Sequence, residues 1–247
     1  LRIILFNGNA NDASGNNNGT VNGATLTTDK NNNPKSAYLF DGVNDYIDLV
    51  NNFNLGNKFT ISFWINYTGT TRFCAICKND NAGTNEFLSF YERNNKANSF
   101  EIYTENTNNA IGIVSLTPNT WEHITMTYDN TNLKIYKNAT LQTQTTTTHI
   151  TWDNTGKKWS IGSEWDASTR GDYFKGKIDE IKIYNKTLTQ QEITNQYTPP
   201  TQNPICTQYP TERYTPQKLT QEITKWFNKN HTLTELIRKA KLWKYCN

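Results

Sequence analysis

The stretch GKIDEIKIYNKTLTQQEI, residues 176–193, reads as one strand running into one short helix. In strict alternation Ile181 and Ile183 share one face and Ile178 and Tyr184 the other, as in a strand covered on both sides. The strand stops at Asn185. Thr189 then has N-cap chemistry and Glu192 follows three residues on, which makes a capping box. Leu188 and Ile193 are placed as its hydrophobic staple. Asp179 is the odd residue. Alternation sets its carboxylate on the face of Ile181 and Ile183, where it is costly unless hydrogen-bonded, paired or on a metal. Either the strand bulges there or Asp179 has a partner, and we take the partner as the expectation.

Phe59, Ile61, Phe63, Ile65 and Tyr67 alternate with polar residues and with Trp64, which predicts a core strand whose other face is partly covered. Residues 37–41 and 45–50 flank Gly42-Val43-Asn44, the pattern of a hairpin. Further strands are expected over 1–6, 73–78, 86–91, 100–105, 110–114, 121–128, 133–137, 140–150 and 158–162, with Asn-, Gly- and Pro-rich turns between them. Many short strands at this spacing argue for a two-sheet sandwich. Residues 163–173 carry two aromatics and four charges without a core pattern, and read as a long loop. Long ordered loops on rigid sandwiches often carry binding, which makes Trp165, Arg170 and Tyr173 the candidate ligand-binding residues; a variable loop with Trp165 folded back is the alternative.

Several of these stretches resemble the laminin-G-like, concanavalin A-like jelly-roll domains of the lectin/glucanase superfamily. They are the opening stretch 176–193, AYLFDGVNDYIDL (residues 37–49) and LFNGNANDASGNNNGTVNGATLT (residues 5–27). NTWEHITMTYD followed by LKIYKN, residues 119–129 and 133–138, resembles the family's central hairpin. The resemblance covers about residues 1–197. It implies a mainly β, antiparallel jelly-roll in which the last strand returns to the middle of a sheet. It also implies extracellular carbohydrate or surface recognition, often with one structural Ca²⁺. The oxygen-rich loop of residues 7–19 reads either as a solvated turn or as a Ca²⁺ loop. With the resemblance and the awkward Asp179, it gives Asp12, Asp41, Asp179 and Glu180 as candidate ligands. The glucanases of this superfamily need carboxylates at alternate strand positions. Here Asp179 and Glu180 are adjacent and expected on opposite faces, so catalysis is not expected.

Composition narrows the classes. The chain has 247 residues, 35% hydrophobic and only 19% charged, so solubility rests on Asn, Thr, Gln and Ser. A net charge of +3 gives no case for nucleic acid. No apolar run approaches a membrane span. The sequence starts at Leu1 and shows no signal peptide, and is read as a processed chain or a piece of a longer one. Asn18, Asn66, Asn138, Asn185 and Asn230 begin N-glycosylation sequons, weak support for a location outside the cell in so Asn- and Thr-rich a chain.

After the sandwich, residues 198–215 form a Pro-punctuated linker and 216–247 a helical hairpin. One apolar stripe is Leu219, Ile223, Trp226 and Phe227. The second helix has a capping box at Thr232 and Glu235, and a stripe of Leu233, Leu236, Ile237, Ala240 and Trp243. Cys206 and Cys246 bracket this tail and are the favoured disulfide. Closing that loop would stabilise the tail by about 4 kcal/mol in the chain-entropy model. Cys74–Cys77 is possible but awkward, because residues three apart on one strand point to opposite faces and lie too far apart to bridge without a turn. The expectation is a non-catalytic extracellular binding or adhesion domain whose partner is a glycan or cell-surface protein. The alternative is a structural subunit of an extracellular filament, sheath or surface layer, assembled through the tail as a homo-oligomer or larger array.

Overall fold

The computed structural model describes residues 2–4, 8–15, 17–49, 55–68, 73–79, 86–92, 99–104, 112–146, 158–166 and 169–198. In chain order its strands are β1 (Arg2–Ile4), β2 (Gly19–Asn22), β3 (Thr25–Thr27), β4 (Ala37–Asp41), β5 (Tyr46–Leu49), β6 (Phe59–Tyr67), β7 (Phe73–Asn79), β8 (Glu86–Glu92) and β9 (Ser99–Thr104). They continue with β10 (Gly112–Ser115), β11 (Trp121–Tyr128), β12 (Asn132–Lys137), β13 (Thr140–Thr146), β14 (Lys158–Ile161), β15 (Glu164–Asp166), β16 (Thr169–Gly171) and β17 (Lys175–Tyr184). The helix α1 (Gln190–Tyr197) follows among the described residues.

Two large antiparallel sheets and the separate β15–β16 pair result among the described residues. The eight-stranded one runs β13-β12-β11-β6-β17-β4-β3, with β1 also on β17; the seven-stranded one runs β10-β9-β8-β7-β14-β5-β2. β17 lies between β6 on one side and, on the other, β4 along its first half and β1 along its second. The returning strand is thus in the middle of a sheet, as expected.

Between the sheets lies one core. β6 sends in Phe59, Ile61, Phe63 and Ile65, β11 sends in Ile124, Met126 and Tyr128, and β14 sends in Trp159 and Ile161. The resemblance to the family's central hairpin implies that Trp121 packs in the core with the β11 residues, but it is only half-buried. Alternation fails in β17. Its pairing with β6 shifts between Asp179 and Lys182, and Glu180 takes a positive φ of 48°. This is a bulge of one extra residue. Ile178 therefore joins Ile181 and Ile183 in the core, and Asp179 turns to the outer face opposite Trp64. Both alternatives are present: the bulge takes Asp179 off the inward face, and its Oδ1 accepts from the Glu180 amide at 2.6 Å.

Two other expectations change. The turn at residues 42–45 is not a hairpin, because β4 and β5 lie in different sheets and the chain crosses the sandwich there. Asp41 closes this corner by accepting from the Val43 and Asn44 amides at 2.7 and 3.2 Å, and Asp45 accepts from the Asp41 amide at 2.9 Å. Turn chemistry marks a reversal and does not say which sheet the chain enters next. Within residues 163–173 the expected loop is a short hairpin, β15 paired with β16.

The helix start matches its sequence signals. Thr189 N–H donates to Glu192 Oε2 at 2.8 Å and Glu192 N–H donates to Thr189 Oγ1 at 3.3 Å. Leu188 and Ile193 pack with Tyr136 as the staple. The chain divides into the units Leu1–Tyr197 and Thr198–Asn247. The expected tail helices, the Cys206–Cys246 bridge and the Asn230 sequon lie outside the described residues. No helix among the described residues is long and apolar enough to cross a membrane.

The link from β17 to α1 hangs on buried Thr60. Its hydroxyl donates to the Lys186 carbonyl at 2.9 Å and accepts from the Leu188 amide at 3.0 Å. Thr60→Val keeps the shape and strands both groups. We expect it to lower the unfolding free energy by about 1–3 kcal/mol. A denaturant titration showing unchanged stability would mean these bonds hold nothing in place.

Candidate functional site

β5 buries Ile47 and Leu49 in the core and turns Tyr46 and Asp48 outward, half-buried. Ser160 of β14 pairs directly with Asp48. Gly162 then takes the chain off the sheet with a φ of +82°, and a Cβ there would run into the Phe40 ring. The hairpin that follows pairs Trp165 with Arg170.

Arg170 is the centre of the site. Its guanidinium carbon lies 3.7 Å from the Tyr46 ring centroid and 4.2 Å from that of Trp165, between two aromatic partners. Nη1 donates to Ser160 Oγ at 2.9 Å and Ser163 Oγ at 2.8 Å, and Nη2 pairs with the Asp48 carboxylate. The guanidinium plane suits stacking while its edge serves three acceptors, a task Lys cannot perform. Stacks of this kind contribute about 2 kcal/mol when desolvated, and the Arg170 side chain is only 8% exposed. Lys158 brings a second cation 5.8 Å from the Trp165 ring centroid. Of the three candidate binding residues, the structure joins Trp165 and Arg170. Tyr173 stands at the hairpin's foot, bridged to Cys74 of β7. Tyr46, Asp48, Ser160, Ser163 and Lys158 were not singled out from sequence. The outward positions of β5, alternating with Ile47 and Leu49, were the available signal.

The candidate Ca²⁺ ligands stand in three separate places. Asp12, buried in its loop, accepts from the Ser14 amide and hydroxyl and from Asn17 Nδ2, all at 2.7–2.8 Å. Asp41 serves the corner described above, and the Val43 amide holds it below the usual carboxylate range against a smaller opposing effect of burial. Asp179 and Glu180 lie on β17. Among the described residues no three His, Cys, Asp or Glu side chains are gathered to hold a metal ion. The four do not fit one Ca²⁺ cage. Of the described sequons, Asn18 and Asn185 are exposed and Asn66 is half-buried in β6, while Asn138 Oδ1 accepts from the His123 amide at 2.8 Å.

The bulge in β17 also corrects the expectation that Asp179 and Glu180 point to opposite faces. Both reach the outer side of the eight-stranded sheet. Glu180 accepts from Lys30 at 2.8 Å and Lys182 at 2.7 Å. Lys30 Nζ in turn lies 4.6 Å from the Trp64 ring centroid. Trp64 stacks on Tyr197 at 5.6 Å and meets His123 at 5.1 Å, so the face beside it is covered, as expected. Burial and the Glu180 charge push Asp179 up to about 7, while the Glu180 amide, donating to Asp179 Oδ1 at 2.6 Å, works the other way. Burial also raises Glu180, but Lys182 and Lys30 outweigh it and hold that carboxylate below its usual range. His123 is lowered to about 3, by burial first and then by the Lys182 charge.

These two buried groups give opposite pH dependences. Asp179 contributes stability that is fully present below its unfolded value of 3.8 and is lost as pH rises through about 7. His123 contributes stability present above its unfolded value of 6.5 and lost as pH falls towards about 3. Between roughly pH 4 and 6.5 each slope approaches about 1.4 kcal/mol per pH unit, with opposite sign. Asp179→Asn should therefore leave a chain that loses stability on acidification below pH 6.5. His123→Gln should leave one that gains stability over the same range. Denaturant midpoints measured across pH 4–8 decide it, and profiles parallel to wild type in both variants would refute the assignment.

No curated protein matches the chain. Among solved structures, domain 4 of an extracellular arabinanase from Geobacillus stearothermophilus, in complex with arabinotriose, is 18% identical with a TM-score of 0.65, covering 80% of this chain and 97% of that one. The botulinum neurotoxin serotype D ligand-binding domain in complex with N-acetylneuraminic acid is 18% identical with a TM-score of 0.53, covering 75% of this chain and 47% of that one. A Trypanosoma rangeli sialidase mutant displaying trans-sialidase activity is 12% identical with a TM-score of 0.59, covering 80% of this chain and 32% of that one. The chain thus spans about half or less of the toxin and sialidase structures, and these likenesses speak for the β-sandwich fold. The family model described as concanavalin A-like lectin/glucanases superfamily matches residues 41–194, and with these two sheets and this returning central strand the chain belongs to that superfamily.

Proposed function

We propose that the chain is a non-catalytic extracellular recognition module that takes a carbohydrate on the outward side of its seven-stranded sheet, at the β15–β16 hairpin. The observation that carries this reading is Arg170, stacked on Tyr46 and Trp165 and tied to Asp48, Ser160 and Ser163. A sugar ring needs a flat apolar surface beside hydrogen-bonding groups held in fixed directions. Half-exposed Tyr46 and Trp165 supply the first, and the Asp48 carboxylate, 35% exposed, supplies an acceptor. Because Arg170 fixes all of them before a ligand arrives, little ordering is left for binding to oppose. The arabinotriose and N-acetylneuraminic acid in the similar structures agree with this ligand class.

Support for a non-catalytic role comes from the β17 carboxyls. Asp179 is 3% exposed, in the cluster with Trp64 and Tyr197, and Glu180 is engaged by two lysines. Neither stands free to meet a glycosidic oxygen. An extracellular location agrees with the Cys74–Cys77 disulfide, since such bonds persist in oxidising compartments.

A glycan-array screen of the full chain, with light scattering beside it, tests the reading. Trp165→Ala and Arg170→Ala should each weaken the best glycan by about tenfold or more, equivalent to about 1.4 kcal/mol. Tyr173→Ala, at the hairpin's foot, should act less strongly. Self-assembly without sugar binding would instead favour the structural-subunit alternative.

A further inference from the structure

Cys74 and Cys77 are bridged, with Cα atoms 6.2 Å apart. Three steps along a regular strand cover about 10 Å, so β7 cannot be regular here. Its pairing with β8 skips Ala75, with Cys74 opposite Tyr91 and Ile76 opposite Phe90. The bulge shortens the strand enough for the bridge, and the bridge in turn holds the bulge.

The backbone groups inside this closed ring carry the hairpin. Ala75 C=O accepts from the Gly162 amide at 2.9 Å, on the chain entering the hairpin. Cys74 N–H donates to the Asp172 carbonyl at 2.7 Å, on the chain leaving it. Tyr173 bridges to Cys74, and Phe174 N–H donates to the Gly162 carbonyl at 2.9 Å, joining the two stems. Both feet of the hairpin therefore stand on Cys74 and Ala75. Two strands of three residues are too short to hold themselves in water. Apart from these feet, the Arg170 stack and its bonds tie the hairpin to β5 and β14.

We propose that the Cys74–Cys77 disulfide positions the β15–β16 hairpin, so that its oxidation state decides whether the Tyr46–Arg170–Trp165 patch is assembled. Cys74 and Cys77 are positioning residues, acting through the backbone of the bulge. The functional importance of the patch rests on the carbohydrate-binding reading; the mechanical claim does not. A small dithiol would open the switch. Its thiolate attacks one protein sulfur, the protein S–S bond breaks and a mixed disulfide forms. The second thiol of the reductant then releases the first sulfur. The protein ends with two thiols, reduced by two electrons and two protons, and the reductant leaves as a cyclic disulfide. Both cysteines are fully buried, so this exchange waits for the hairpin to open and a dithiol acts slowly on the folded chain.

Hydrogen exchange read by mass spectrometry on the full chain tests the proposal without any ligand. In Cys74→Ala/Cys77→Ala, amides of residues 163–174 should exchange at least tenfold faster than in wild type, while those of β6, β11 and β17 keep their rates. Wild type reduced with dithiothreitol, with both thiols confirmed by alkylation of a sample, should show the same local loss, and reoxidation of the remainder should restore protection. Unchanged protection in the hairpin overturns the proposal. So does a loss spread evenly over both sheets, or a double variant without the β-sheet circular dichroism of wild type, since the bond would then hold the sandwich rather than the hairpin. A chain that bound no glycan would leave these results standing and remove only the reading of the patch.

Discussion

One inserted residue in the central strand sets the register of the eight-stranded sheet. β17 must pair with β4 along its first half, with β1 along its second, and with β6 along nearly all of it. Without an extra residue, Ile178 and Ile181 would face opposite ways, and one of them would leave the core. Glu180 accepts a positive φ to prevent this, at a cost of about 1–2 kcal/mol for a residue with a Cβ. The same step carries the acidic pair outward, where Lys30 and Lys182 meet Glu180 and where Trp64, His123 and Tyr197 enclose the rest. Packing inside the sandwich and the polar cluster outside it are two results of one backbone choice.

Much of the architecture was legible because its signals are periodic or local. The alternation from Phe59 to Tyr67 is a complete strand pattern, and it appears as β6 with the named residues in the core. The capping box at Thr189 and Glu192 involves atoms three residues apart, so it can be read without knowledge of any distant contact. Asp179 marked the place where alternation fails, but not how. A bulge is decided by which neighbouring strands demand which register, and those neighbours lie more than a hundred residues away in sequence. The corner at residues 42–45 was misread for a related reason. A hairpin and a sheet-to-sheet crossing use the same turn residues.

The candidate site was less legible. Trp165 and Arg170 stood out as an aromatic and a cation in a segment with no core pattern, but a three-residue strand has too few positions to show alternation. Their partners Tyr46, Asp48 and Ser160 come from two other strands, and only the sheet order brings them together. The Cys74–Cys77 bridge was hidden in the same way. On an ideal strand the distance forbids it, and nothing in the local sequence announces that Ala75 is skipped. Each miss concerns a pairing partner rather than a propensity.

The place of β17 has a consequence for how the chain acquires its structure. Strands from the first quarter of the sandwich, β1 and β4, meet β6 only through a strand that emerges near its end. Until residue 184 has been synthesised, the facing edges of β4 and β6 have no partner, and β6 is among the most apolar segments of the chain. Topologies closed by such distant pairings fold slowly, on the order of milliseconds to seconds. During synthesis the unfinished sheet presents open, sticky edges to its surroundings. The sandwich is therefore a structure completed after its own translation, and the hazard of its biogenesis is concentrated in the interval before the last strand slides between the first and the sixth.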